Sequence, residues 1–181
     1  MMERLCQNSH SIGTIANKLA HHYALDDVTS RRANSAGTLS HIGTLILAIS
    51  RPTDFKKAAQ LCDGDPQSID YFERSLLGAD HALIGSYFLG LWGFPLEVCE
   101  AVAFHHRPSL STDLETPRNH SLLAILHLAQ QLAKYTPQNP FDPDTILTTL
   151  DTDFLTHQSI TIDVEAWGEI MQTFNQERAA S

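Results

Sequence analysis

The segment from Glu73 to Pro108, ERSLLGADHALIGSYFLGLWGFPLEVCEAVAFHHRP, most restricts what this chain can become. Gly78 is a helix stop, Asp80 supplies an N-cap, and the run from Ala82 to Trp92 is apolar at almost every position, the pattern of a helix buried on all sides. Gly93 then caps a C-terminus, Phe94 turns, and Pro95 takes the first position of a second helix with Glu97 in its first turn. Two helices joined by so short a loop run antiparallel. His81 lies about thirteen residues before the loop and His105 and His106 about twelve after it, so at about 1.5 Å per residue the three imidazoles share one level. The spacing predicts a histidine cluster at one end of a helical hairpin.

Helical periodicity fills the rest of the chain. A first helix over about residues 2–23 sets Ile12, Ile15, Ala16 and Leu19 on one side and carries His10. Asp26 and Asp27 interrupt it, Thr29 or Ser30 caps, and a second helix runs from about Arg31 to Ala48 through the small residues Ala33, Ala36, Gly37, Ser40 and Thr44. Counting from the turn puts His10 and His41 within about one helical turn in height. Short helices follow over about residues 52–61 and 69–77, separated by the loop CDGDPQS. After Pro108 comes a polar linker, then a helix capped by Asn119 or Ser121 that continues to Leu132. The tail supplies Phe141 to Leu150, a capped turn, and a last helix over about Val164 to Phe174 with Trp167 and Met171 facing inward. No strand pattern or internal repeat is present. Gly85 and Gly90 sit inside a helix, which reads as close helix approach and not as a phosphate cradle.

At 181 residues, with 43% apolar and 18% charged, the chain can bury one sizeable core. It has no run of about 18 apolar residues, and its first residues lack the apolar core of a signal peptide, so a cytoplasmic protein with no membrane partner is expected. Cys6, Cys62 and Cys99 lie in no CxxC spacing and read as buried thiols in a reducing compartment. A net charge of -9 argues against DNA or RNA as partner, since non-specific nucleic-acid affinity comes from Lys and Arg.

The run GADHALIGSYFLGLWGFPLEVCEAVAFHHRP resembles the signature of the HDOD family, the HD-related output domains, whose members show DHAEVG, then LLGLWGLP, then AIAYHHRP. HSIGTIANKLA at His10–Ala20 and AGTLSHIGTLILA at Ala36–Ala48 are similar to that family's first-histidine helix and its AGLLHDIGKLVLA segment. The likeness covers roughly residues 5–135. It implies an all-α, HD-like helical bundle of about seven to nine helices, forming a single domain over 1–181 with a C-terminal extension at about 140–178. It implies a signalling role in a group related to metal-dependent HD phosphohydrolases and often found beside a receiver domain. An HDOD domain carries a further helical stretch before the first-histidine helix. The chain is therefore expected to be the C-terminal part of a longer protein, one with an upstream receiver domain, or a shortened form. A shortened form leaves apolar surface for a homodimer or a protein partner.

An active HD phosphohydrolase needs a first His, an adjacent His-Asp pair, further histidines and a late Asp, because a bridging carboxylate brings two metals together over one water. Carried over by the resemblance, His10 matches the first His, His81 the third, and His105 and His106 the paired histidines. Ser40-His41 stands where the His-Asp pair belongs, and Gln130 stands at the late Asp. Without either acidic ligand, no catalytic residue is assigned. The first reading of His10, His41, His81, His105 and His106 has these imidazoles bonding to one another and to carbonyls inside an inherited core. The second has some combination of them holding one divalent transition metal as cofactor. The macrodipole argument has His81 neutral at a helix N-terminus and His105 and His106 drawn toward the cation at a C-terminus. His21, His22, His120, His127 and His157 read as ordinary helix or surface residues. The leading function is a non-catalytic signal-transduction module, such as a response-regulator output, that binds a protein or a nucleotide. The alternative is a metal-dependent phosphohydrolase of a nucleotide or cyclic dinucleotide.

Overall fold

The chain folds as α1 (Met2–His22), α2 (Asp27–Leu39), α3 (Ile42–Ser50), α4 (Pro52–Leu61), α5 (Ile69–Leu77), α6 (His81–Leu91) and α7 (Leu96–Phe104), then a 3-10 turn (Pro108–Ser111). α8 (Ser121–Leu132), α9 (Pro143–Thr149), α10 (Thr152–His157) and α11 (Val164–Ala179) complete it. The structure, a computed structural model, describes residues 2–62, 69–111 and 120–180. The expected loop after Cys62 and most of the polar linker after Ser111, with the proposed cap Asn119, lie outside the described residues. No strand occurs among the described residues, and the all-α expectation holds.

The helix buried on all sides is α8. Every residue from Leu122 to Leu132 is buried, including His127, Gln130 and Gln131, as α1, α2 and α7 pack around it. The expectation that Ala82–Trp92 would be that helix is corrected. α6 packs chiefly on α3 and α7, with a smaller contact to α5 at its start, burying His81, Ala82, Gly85 and Leu89, while Leu83, Tyr87, Leu91 and Trp92 stand in solvent. An unbroken apolar run does not say how many neighbours a helix has.

The helix expected from Arg31 to Ala48 is two. Ser40 donates its hydroxyl to Gly37 O at 2.8 Å, and His41 adopts φ -103°, ψ 17°, so the chain turns before α3 begins. A serine bonding back to a carbonyl three residues earlier competes with the helix ladder in this way. The N-cap of α2 is Asp26, whose carboxylate accepts from Val28 N and Thr29 N, in place of the expected Thr29 or Ser30. α10, capped by Asp151, stands where the sequence suggests only a capped turn.

Two close approaches set the geometry. A Cβ on Gly37 would lie 2.6 Å from Gly13 Cα, so α1 and α2 meet backbone to backbone. A Cβ on Gly43 would lie 1.9 Å from His81 O and 2.7 Å from Gly85 N, which seats the start of α3 against the first turn of α6. Gly85 thus has the close-approach role read for it, whereas Gly90 does not: it is exposed, and a Cβ there would meet only Cys99 Sγ at 3.9 Å.

The tail closes the core. Trp167 is fully buried and donates its indole N–H to Tyr23 Oη at 2.8 Å, which in turn donates to Thr161 O at 2.6 Å. Met171 and Phe174 are buried on the same face of α11. Cys62 and Cys99 are buried and free, but Cys6 is exposed, contrary to the buried reading.

Candidate functional site

Four histidines from three corners of the bundle converge. His41 precedes α3, His81 opens α6, and His105 and His106 follow α7. The His81 ring centroid lies 5.8 Å from those of His41 and His105 and 5.0 Å from that of His106. Antiparallel packing of α6 and α7 thus brings His81, His105 and His106 to one level, as their spacing predicts. His10 is not brought to them. It is exposed on α1 and lines a separate groove with Phe174, Glu177 and Arg178 of α11. The α1 residue that shares a cavity wall with His41 is Asn8. Positions two apart on a helix point about 200° apart, so counting along the axis gives the level and not the direction.

Hydrogen bonds set the imidazole tautomers. His81 Nδ1 lies 2.7 Å from Glu73 Oε2, which also accepts the His81 backbone N–H at 2.8 Å. His105 Nδ1 lies 2.7 Å from Val102 O, an obligate acceptor. The Ser40 hydroxyl gives its proton to Gly37 O and receives one from Gln130 Nε2 at 2.9 Å, leaving it an acceptor toward His41 Nδ1 at 3.3 Å. Each ring therefore holds its proton on Nδ1 and presents an Nε2 lone pair. Metal-binding histidines show this pattern, with the second nitrogen tied to a carboxylate, carbonyl or similar acceptor.

The resulting triad is compact. Ligand atoms of His41, His81 and His105 lie within 4.8 Å of one another. An ion with ligands at about 2.1 Å in a tetrahedron needs them about 3.4 Å apart, so the rings must close by roughly 1 Å. His105 Nε2 is buried with no hydrogen-bond partner, a cost that an ion would remove. These three residues fit one transition ion. His106 Nε2 sits 3.0 Å from His81 Nε2, where it can only be the donor, so it holds the His81 lone pair until displaced.

Burial disfavours the charged form of His41, His105 and His106. It pushes His41 down to about 3, with the neighbouring His81 adding to the effect, and holds His105 and His106 well below the usual imidazole range. For His105 and His106 desolvation therefore outweighs the helix C-terminus, which reverses the expectation that they would tend toward the cation. Around the cluster runs a cavity of about 600 Å³, walled by His41, Glu73, His81, His106, Arg107 and Gln130 among others. Arg107 reaches Asp70 at 3.1 Å, and Arg74 pairs with the buried carboxylate of Asp80, which also caps α6 through Leu83 N.

Two supporting residues escaped the sequence reading. Glu73 is fully buried on α5, and its only sequence signal is a lone acid eight residues ahead of His81 across the Gly78 turn. His127, read as ordinary, is buried in α8. Its Nδ1–H meets His105 O at 2.8 Å and its Nε2 accepts Asp151 N at 3.2 Å, so it fixes the end of α7. His120 is likewise buried, whereas His21, His22 and His157 are exposed as expected.

Residues 1–108, more than half of the chain, match the HDOD domain. The chain belongs to the HDOD family. No curated protein matches it. Among solved structures it is similar to an HDOD domain protein of unknown function from Geobacter sulfurreducens, at 16% identity and TM-score 0.73, over 97% of this chain and 59% of that one. It is similar to a protein from Shewanella amazonensis named provisionally as a phosphohydrolase, at 19% identity and TM-score 0.70, over 97% of this chain and 63% of that one. The MmoQ response regulator of Methylococcus capsulatus shares the fold at 18% identity and TM-score 0.59, over 91% of this chain and 58% of that one. The HDOD chain thus spans about six-tenths of the length of these relatives. No described helix is long and apolar enough to cross a membrane.

Proposed function

We propose that this HDOD chain is a non-hydrolytic signalling module, with a histidine centre that takes at most one divalent transition ion and an output that passes through protein contacts. The observation that carries this reading is the hydrogen bond from Gln130 Nε2 to Ser40 Oγ at 2.9 Å. The two positions where the HD pattern has a His and a late Asp are neutral and bonded to each other in the buried interior. A second divalent ion would find no carboxylate there, and two ions would carry about +4 against neutral imidazoles. One ion is well served by His41, His81 and His105, with the Glu73 carboxyl hydrogen-bonded behind His81. Imidazole donors suit zinc, iron, nickel or copper. When bound, such an ion would supply a Lewis-acid centre, and Glu73, Ser40 and the Val102 carbonyl would orient its ligands. A place in a two-component or comparable regulatory pathway accords with the fold shared with a response regulator.

The second reading is a metal-dependent phosphohydrolase of a nucleotide or cyclic dinucleotide. What favours it is the cavity of about 600 Å³ opening on His81 and His106, with Arg107 on its wall. The reversion Ser40→His, His41→Asp, Gln130→Asp separates the two. On the proposed reading the wild-type chain turns over no phosphodiester, and the reverted chain gains metal stoichiometry toward two. A wild-type chain that hydrolyses as well as the reverted one would favour the second reading.

A further inference from the structure

We infer that the outer face of α6 is a self-association surface, through which two copies of this chain pair about a two-fold axis. Leu83, Tyr87, Leu91, Trp92 and Leu96 are each between 54% and 73% exposed, and no described residue covers them. Leu83, Tyr87 and Leu91 recur every fourth residue and so lie along one face of the helix. At about 150–250 Å² for a large aromatic side chain, the five residues present on the order of 600–700 Å² of apolar surface. That exceeds the largest patch of most monomers, about 300–600 Å². It also approaches the roughly 800 Å² per partner that a stable interface buries.

The sequence of the stripe points to a second copy as the occupant. Read in either direction along α6 it is leucine, tyrosine, leucine at four-residue intervals. Two copies crossing antiparallel would set Leu83 of each against Leu91 of the other and bring the two Tyr87 rings together at the axis. A two-fold contact demands this self-complementarity, because the same patch serves both sides. Gly90 adds an independent feature. It is exposed on α6 with only Cys99 Sγ near its missing Cβ, at 3.9 Å, so among the described residues its lack of a side chain serves no close contact. Three residues on from Tyr87, it lies beside the stripe, where a missing side chain lets another helix come close. Charge agrees: α6 carries no Asp, Glu, Lys or Arg, so a chain of net charge -9 meets its copy through a neutral surface. The nearby Glu97 faces Arg32 at 3.7 Å in its own chain. This inference is independent of whether the histidine centre binds an ion.

Sedimentation equilibrium of the 181-residue chain at about 10–100 µM, with a cysteine cross-link, tests it. Wild-type chain should sediment at twice 20.1 kDa, and Tyr87→Glu at 20.1 kDa with unchanged circular dichroism. In a Cys6→Ser background, Tyr87→Cys should oxidise to a covalent dimer, and Leu91→Glu added to it should abolish the cross-link. Lys56→Cys, exposed on α4, should give none. A wild-type monomer at the upper concentration would overturn the inference. So would a dimer whose mass survives Tyr87→Glu, since it would use another face.

Discussion

Gly43→Ala is the substitution that presses hardest on the geometry of the histidine centre. The added Cβ would lie 1.9 Å from His81 O, 2.7 Å from Gly85 N and 2.8 Å from His81 C. All three are backbone atoms, so no flexible side chain can move aside, and α3 and α6 must separate by about 1 Å or more to restore ordinary contact near 3.5 Å. Overpacking of this kind costs about 1–3 kcal/mol, and more where backbone blocks backbone. For a domain of this size each kcal/mol lowers the melting temperature by about 2–4 °C, so a fall of roughly 2–12 °C is expected. The same displacement moves His41 from His81, and ion affinity should fall with stability. Gly168→Ala is the matched control. A Cβ there meets Phe141 at 3.4 and 3.5 Å, ordinary contact, and alanine inside a helix gains about 0.5–1 kcal/mol over glycine. Thermal denaturation of both variants and titration of Gly43→Ala with zinc or nickel measure these effects. A Gly43→Ala chain as stable as wild type, with unchanged ion affinity, would refute the close α3–α6 approach.

Between pH 7 and 5 the chain should lose stability. His41 is held near 3 and His105 and His106 well below 6.5, so below 6.5 the unfolded chain binds protons that the folded chain does not, and stability falls with pH through that window and levels off above about 7. His41 alone contributes up to about 2 kcal/mol of that loss, and equal urea midpoints at pH 7 and 5 would contradict it. Glu73→Gln should weaken ion binding by about 10–100-fold with circular dichroism unchanged; unaltered affinity would show that the contact with His81 does not tune the ligand. Trp167→Ala should cost about 3–5 kcal/mol, since the ring is fully buried and its N–H is bonded to Tyr23. A loss under about 1 kcal/mol in denaturant titration would remove α11 from the core.

Signals that act within one turn of chain were legible in the sequence. Asp80 as a cap, Gly78 and Gly93 at helix ends with φ of 82° and 77°, and the inward Trp167 and Met171 each follow from local chemistry. The level of His81, His105 and His106 followed from rise per residue and one short loop. Properties set by neighbours distant in sequence were not legible. The apolar run of α6 gave no sign that one side would lack a partner, and α8, with His127, Gln130 and Gln131 inside it, looked less buried than it is. His10 failed because rotation about α1 is fixed by packing on α2 and α8. Glu73 reaches His81 across a turn, a pairing that no helical spacing encodes. The break at Ser40-His41 depends on a hydroxyl choosing Gly37 O, which Gln130, ninety residues later, helps to fix.

The central claim, a centre for at most one ion without hydrolysis, is tested by counting metal and turnover in the same sample. Chain stripped with chelator and reloaded separately with manganese, iron, nickel or zinc is assayed by elemental analysis and for cleavage of phosphodiesters and nucleotides. The account predicts no more than one ion per chain, binding lost in His81→Ala and His105→Ala, and no turnover above metal alone. Two ions per chain, with turnover that disappears in those two variants, would contradict it.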